Sequence, residues 1–414
     1  MTQPPRMFSR LLGAVALTMA AIALTADTLA MSSKPVHSTR GAERKLRSAD
    51  GVDALVAGVL KDIGEQRLAA AHERLDRLIE AAPNFRLAQL IKGDLLTARV
   101  RPLDTLGSAP GGPEDRLSDL RDEARARLQR QALVVPGDHL PDHLLRMAPD
   151  QKYALLVDTS RSTLFVFENR DGVPRYRADY YITIGRNGVD KVREGDKRTP
   201  LGVYHVTANL PRSKLSDFYG SGAYPISYPN EWDRQNGRKG HGIWLHGTPS
   251  DTYSRPPRAS DGCVVLSNQD LETIGQFLQV GVTPVVIATD VKWLEPGDAL
   301  RARTELETAV DQWRRDWESR DTESYLAHYA AGFSSGAGGL AEWAAQKRQV
   351  NRGKDWVKLR FENMSLFLYP GQSSMAVATF TQDYRSSNLS NVMKKRVYWI
   401  REDGRWKIIH ETAA

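Results

Sequence analysis

The sequence predicts a multidomain chain: a helical N-terminal unit, a mainly-β domain of sheet or sandwich type, and an α+β C-terminal domain. Three observations carry this. The 414 residues are about three times a common domain length. The apolar period changes from helix to strand near Tyr153. After Trp293 a helical stretch gives way to a run of strand patterns, as in α+β units. Hydrophobic residues at 41% and charged residues at 26%, with 9 Trp, 14 Tyr and 10 Phe, exclude a chain disordered throughout. A single long apolar run excludes a polytopic membrane protein.

That run opens the chain. Arg6 and Arg10 precede Leu11 to Leu24, and Thr28-Leu29-Ala30 offers small residues for cleavage. Residues 1–30 therefore predict an export signal and a periplasmic protein, with an uncleaved inner-membrane anchor as the alternative. Residues 31–50 (Ser32-Ser33-Lys34-Pro35, then Arg40, Arg44, Lys45 and Arg47) predict a flexible linker. Over 51–148 the period is helical. Leu68, Ala71, Leu75, Leu78 and Ile79 share one face, Ala82-Pro83-Asn84 ends that helix, and Phe85 to Leu96 begins another. Helix, turn, helix resembles one tetratricopeptide-like unit, which needs a neighbour to cover its face. Leu117, Leu120, Ala124 and Leu128 predict a further amphipathic helix.

Residues 150–290 predict a β-rich domain with a mostly antiparallel sheet. Runs at Ala154–Asp158, Thr163–Phe167, Tyr180–Ile184, Gly202–Val206, Ile243–His246, Val264–Leu266 and Pro284–Ile287 alternate with turn residues. A short helix is expected at Asn268–Leu278. Residues 300–414 begin with a helical stretch over 300–331, then show strands at Trp356–Phe361, Ser365–Tyr369, Met375–Tyr384, Lys394–Arg401 and Trp406–His410.

The net charge of +7, from 57 Lys and Arg against 50 Asp and Glu, is modest and not gathered in a dense block. It suits a cell-wall polymer as readily as nucleic acid, and no nucleic-acid interface is expected. The chain has one cysteine, Cys263, so no internal disulfide forms. An unpaired thiol is a liability in an oxidising compartment. Cys263 lies 17 residues after His246, each at the edge of an apolar strand pattern with a Pro/Ser/Arg loop between. Adjacent strands would bring the imidazole to the thiol, making it a nucleophile. Gly262 permits a tight backbone there, and free N–H groups would hold an oxyanion. No His-Glu-x-x-His motif and no phosphate loop occur, so neither metal nor cofactor is expected.

Here the sequence resembles the YkuD-type L,D-transpeptidases. The resemblance rests on His246-Gly247, twelve residues, then Ser260-x-Gly262-Cys263. It extends to Ile184-Gly185, Gly195–Tyr204, Phe218-Tyr219-Gly220 and Tyr228-Pro229-Asn230. It implies that Cys263 is the nucleophile, His246 the general base, and the Gly247 carbonyl its orienting partner. Gly262 and Cys263 N–H groups would form the oxyanion hole. Arg258, Ser260, Tyr228, Trp244 and His241 become candidate substrate contacts, Arg258 as a grip on a stem-peptide carboxylate. The implied partners are peptidoglycan stem tetrapeptides, attacked at the meso-diaminopimelate carbonyl with loss of D-Ala. The implied acceptor is an amine of a second stem or of an outer-membrane lipoprotein lysine. Two other readings stay open: a hydrolase on the same scaffold, and a non-enzymatic wall-binding protein. Many family members carry His where this chain has Asp261, and Arg where it has Val265. A carboxylate beside the thiol would raise the Cys263 pKa. From about residue 303 the chain resembles the cone-shaped SnoaL-like and nuclear-transport-factor families, on Trp313–Asp321, Tyr325 to Phe333 and Gly404–Ile408. That fold implies a cavity for a ligand or partner, with the Trp/Tyr stripe as core.

Overall fold

The computed structural model describes residues 52–107, 112–133, 137–336, 338–372 and 374–414. The expected export signal and linker lie outside the described residues. The chain divides into two compact units, one ending at Ala132 and one running from Leu133 to Ala414.

The first unit is helical: Val52–Gly64, Leu68–Ala81, Arg86–Thr97 and Glu114–Ala132. Ala71, Leu75 and Leu78 are buried on one face, as their spacing requires, against Val56, Val59, Leu87 and Ile91. The last helix departs from its apolar pattern. It buries Glu123, Ala124, Ala126, Arg127 and Arg130, and leaves Leu128 45% exposed. Asp53, at the start of the first helix, accepts from both Arg127 and Arg130, and Glu123 accepts from Arg127 at 3.0 Å. Buried charges survive when paired this fully, and no local period could announce the pairing. The helical run stops at Ala132. Leu140–Pro141 and Leu144–Arg146, inside the span assigned to helices from sequence, are strands. Leu144–Arg146 pairs with Val357–Leu368, so distant chain decides its conformation.

The second unit is mainly β through Ala288 and α+β beyond. Its first sheet orders Val173–Tyr181, Thr163–Arg170, Tyr153–Asp158, Pro284–Ala288 and Gly202–His205. The sheet is mostly antiparallel, as expected, with one exception: Pro284–Ala288 runs parallel to Tyr153–Asp158. Both faces are covered. Leu155, Val157, Leu164 and Val166 face a core shared with Leu245, Val264 and Leu266. Ala154, Leu156, Phe165 and Phe167 face Phe367, Tyr369, Val377 and Tyr398. Two-sided burial is why these strands read as unbroken apolar runs. A second sheet orders Val264–Val265, Trp244–His246, Gly222–Pro225 and Leu210–Pro211.

The C-terminal region packs the helix Pro296–Ser319, through Leu306, Val310, Trp313 and Trp317, on a seven-stranded sheet. The two strands expected at 356–369 are one, Val357–Leu368, interrupted by a bulge. Tyr329 opens a strand rather than extending a helix, and a helix at Leu340–Arg352 was not foreseen. The short helix Glu231–Gln235 joins this sheet to the mainly-β region. Asn230 caps it, and Asn230 Nδ2 donates to Tyr369 Oη at 2.9 Å. Trp232 stacks on Tyr398 at 5.6 Å, and Glu231 accepts from Arg396 and, at 3.3 Å, from Tyr398 Oη. Burial opposes the Glu231 charge, yet Arg396 holds its pKa below the ordinary value. The stability it supplies is thus present above the ordinary glutamate range and lost on acidification. Replacing Glu231 by Ala leaves Arg396 buried and unpaired, an expected loss of about 3 kcal/mol. Thermal melts of both proteins should show the gap at neutral pH and its shrinkage in acid.

Candidate active site

The strand Trp244–His246 runs parallel to Val264–Val265, with Leu245 opposite Val264 and His246 opposite Val265. Ile243, Leu245, Val264 and Leu266 enter the core. Alternation then puts Trp244, His246 and Cys263 on the opposite face. Carried back one residue, the register sets Cys263 beside Trp244. Thiol and imidazole therefore share a face, two positions apart.

Cys263 is only partly buried, so its sulfur is not sealed in the core. Its S–H donates to the Gly242 carbonyl at 3.4 Å, not to the imidazole. His246 is 1% exposed, flanked by the rings of Phe218 at 5.8 Å and Tyr219 at 5.2 Å. Its Nδ1 lies 2.7 Å from the Gly247 carbonyl. A carbonyl only accepts, so Nδ1 carries the proton and Nε2 keeps a lone pair. Burial pulls the His246 pKa down to about 4; the Gly247 bond opposes this and the Arg255 charge assists it. Burial pushes the thiol up to about 11. The Trp244 N–H counters that rise, and Asp261 adds to it less than burial does. The resting pair is neutral on both sides.

The turn before Cys263 is held from within. Ser260 Oγ donates to the Cys263 carbonyl at 2.7 Å and accepts from the Gly262 N–H at 3.1 Å. Ser260 is thus a turn brace, and the Gly262 N–H, expected in the oxyanion hole, is already committed. Gly262 has φ +122°, and a Cβ there would sit 2.6 Å from the Arg198 carbonyl. Gly262→Ala is expected to distort this turn, costing about 1–3 kcal/mol and most alkylation of Cys263; melts and mass spectrometry would check both.

Of the other residues singled out from sequence, Trp244 packs on Tyr219 at 4.9 Å, on the site face. Arg258 is exposed on the strand Arg258–Ser260. His241 is exposed, 3.5 Å from the Glu194 carboxylate. Tyr228 belongs to the core: it is 6% exposed, its ring meets Tyr204 at 5.9 Å and its Oη donates to the Lys239 carbonyl. Asp261 is exposed and pairs with Arg186 at 3.2 Å.

Sequence reasoning missed two residues. Asn268 Oδ1 accepts from the N–H groups of Ser221 at 2.8 Å and Thr248 at 3.2 Å, and Nδ2 donates to the Thr248 carbonyl at 2.9 Å. It fastens the Tyr219 loop to the segment after His246. A Cβ at Gly220 or Gly247 would strike its Oδ1, at 2.0 and 2.1 Å. The second is Arg255, whose guanidinium lies 4.7 Å from the centre of the Phe218 ring. Neither carries a local motif; only the fold gathers them here.

Residues 152–287 match the family model of the YkuD L,D-transpeptidase catalytic domain, and residues 305–412 that of the Cds6 C-terminal NTF2-like domain. The chain carries a YkuD-type L,D-transpeptidase domain and a C-terminal NTF2-like domain. The chain is similar to Bd1075 of Bdellovibrio bacteriovorus, with TM-score 0.59 and 27% identity, covering 67% of this chain and 98% of that one. It is similar also to Pgp2 of Campylobacter jejuni, described as a helical cell shape determining protein, with TM-score 0.57, 26% identity, and coverage of 66% and 95%. YafK of Escherichia coli, named as a candidate L,D-transpeptidase, is 33% identical over 88 residues. That stretch is 21% of this chain and 31% of YafK, so the chain spans about a third of that relative's length.

The NTF2-like domain has a polar cluster of its own. Lys395 pairs with Glu411 at 3.1 Å, and Tyr329 Oη donates to Glu411 at 3.3 Å. Lys347 Nζ stands 3.9 Å from the centre of the Trp343 ring. Trp313 and Tyr325 of the aromatic stripe are fully buried core. Burial lowers the Lys347 pKa to about 8; Glu411 resists this and Lys395 and Lys354 add to it. A lysine half neutral near pH 8 should acetylate well before ordinary lysines, whose pKa is about 10.4. Peptide mapping after limited acetylation at pH 8 is expected to place Lys347 among the first sites.

Proposed function

We propose that the YkuD domain catalyses cysteine-dependent acyl transfer on peptidoglycan stem tetrapeptides, in the periplasm. The observation that carries this reading is the shared face of Cys263 and His246, with Nε2 of the imidazole unprotonated and the sulfur not sealed. Rotation of the Cys263 side chain takes the S–H from the Gly242 carbonyl to Nε2. Sγ then attacks the carbonyl on the L-centre of meso-diaminopimelate, and the proton passes to Nε2. The N–H of Cys263 is the donor we assign to the oxyanion, since that of Gly262 is taken. The C–N bond breaks, the imidazolium returns the proton to the departing D-Ala amine, and a thioester remains. An acceptor amine attacks the thioester, losing its proton through Nε2, and the thiol is restored. A second stem gives a 3→3 cross-link; a lipoprotein lysine gives attachment; water gives hydrolysis. Each of the three outcomes alters the wall, which gives the protein a role in cell shape, and the likeness to Pgp2 supports that role.

Intact-mass analysis with a purified tetrapeptide stem tests donor, nucleophile and leaving group together. The expected product is a Cys263 thioester one D-Ala short of the peptide. Digested cell wall then separates the acceptors: new dimers mean transfer, lost links mean hydrolysis. No adduct, with peptide or with a carbapenem-type acylating agent, would leave the wall-binding reading.

A further inference from the structure

Arg255 lies in the loop between His246 and Cys263 and does not behave as a solvated loop arginine. Its main chain is fixed, because its carbonyl accepts from Tyr181 Oη at 3.0 Å and from Thr183 Oγ1 at 2.9 Å. Its guanidinium lies over the Phe218 ring, which in turn faces the His246 ring. The residue is partly buried, and among the described residues no carboxylate pairs with it. The nearby carboxylate, that of Asp261, is occupied by Arg186. The Phe218 ring returns part of the hydration this half-buried guanidinium loses, but a ring face takes none of its N–H hydrogen bonds, and such a group ordinarily meets an anion. Its charge reaches both reacting groups: it disfavours protonation of His246 and favours the thiolate of Cys263.

We propose that Arg255 is a specificity-determining residue that binds a substrate carboxylate beside the scissile amide. This rests on the acyl-transfer reading above. A stem tetrapeptide brings two such groups: the terminal carboxylate of the leaving D-Ala, and the carboxylate on the far centre of diaminopimelate. The planar guanidinium accepts either in a two-pronged hydrogen bond. Arg258, expected from sequence to make this grip, is exposed and on the adjoining strand; Arg255 takes its place. The clamp confines the enzyme to stems bearing that free carboxylate and turns away those with a neutral group in its stead.

The test compares three synthetic stem tetrapeptides: the free acid, the same peptide with its terminal carboxylate as amide, and one with the diaminopimelate carboxylate as amide. Thioester formation is followed by intact mass. With wild-type protein, one amide is expected to lose about 10- to 100-fold in kcat/KM, the range of a charge-assisted bond. Which amide loses identifies the carboxylate. Arg255→Met is expected to lose the same factor on the free acid, mostly in KM, and to treat acid and amide alike, while Arg255→Lys regains part of the preference. A thermal melt shows whether each variant keeps its fold, and iodoacetamide alkylation of Cys263 is expected to slow modestly in Arg255→Met, which loses the charge that favours the thiolate. Equal wild-type rates on all three peptides would overturn the proposal even if Arg255→Met failed to fold. So would an Arg255→Met protein that still discriminates. No thioester from wild-type protein on any peptide would sink the acyl-transfer reading, and the clamp with it.

Discussion

Cys263→Ala is expected to abolish thioester formation and to lower turnover of a tetrapeptide stem by at least about 10,000-fold, the loss typical when a nucleophile is removed. The chain has no other thiol to substitute. The substitution removes one sulfur from a partly exposed position and breaks a single weak bond, to the Gly242 carbonyl. Stability should therefore change by less than about 1 kcal/mol, in line with a surface substitution. Melts and intact mass on the same preparation separate lost chemistry from lost fold. A variant that kept its thioester or its turnover would refute the assignment of Cys263.

His246→Ala is expected to cost about 100- to 10,000-fold in acylation, the usual contribution of a general base. Its pH profile is the sharper test. With the imidazole pKa at about 4, the base stays neutral well below the ordinary histidine range, so the acid limb of kcat/KM should fall near pH 4. With the thiol at about 11, alkylation by iodoacetamide should be slow at neutral pH and climb about tenfold per pH unit. An acid limb near pH 6.5 would give His246 an ordinary histidine pKa, against its burial, and alkylation already level below pH 9 would mean that the pair rests as thiolate and imidazolium. The sign for stability follows. A depressed histidine pKa favours the folded state while the ring is neutral, and that benefit is lost as pH falls from about 6.5 to about 4. The loss is about 3 kcal/mol for His246. His205, also lowered to about 4 by burial and by Arg396 and Lys394, acts in the same direction. Urea melts at pH 4 and 7 should show reduced stability in acid.

Much of the site is legible in the chain because its parts lie close in sequence. His246 and Cys263 bracket one loop, and each sits at a strand edge, so the parallel pairing of Leu245 with Val264 suffices to join them. The residues that define the site's surroundings are not so placed. Phe218 and Tyr219 arrive from a preceding 3-10 helical turn, Asn268 from the start of a helix, and Arg255 is one arginine among many. The commitment of the Gly262 N–H to Ser260 is a matter of turn geometry, which a Ser-x-Gly-Cys string does not encode.

The sequence by itself determined the layout of helical, mainly-β and α+β parts, because amphipathic period and turn residues are local properties. It singled out Cys263 and His246 as the candidate pair as well, because a single cysteine leaves no competing thiol. The tertiary structure alone decided which way the thiol points, that burial more than Asp261 raises its pKa, and that Arg255 lies over the Phe218 ring beside His246. It decided too that Leu144–Arg146 is a strand, and that Arg127 and Arg130 lie inside the helical unit. The physical reason is common to these. Burial, register and ion pairing depend on which distant segment covers a residue, and residue type and spacing carry no record of that partner.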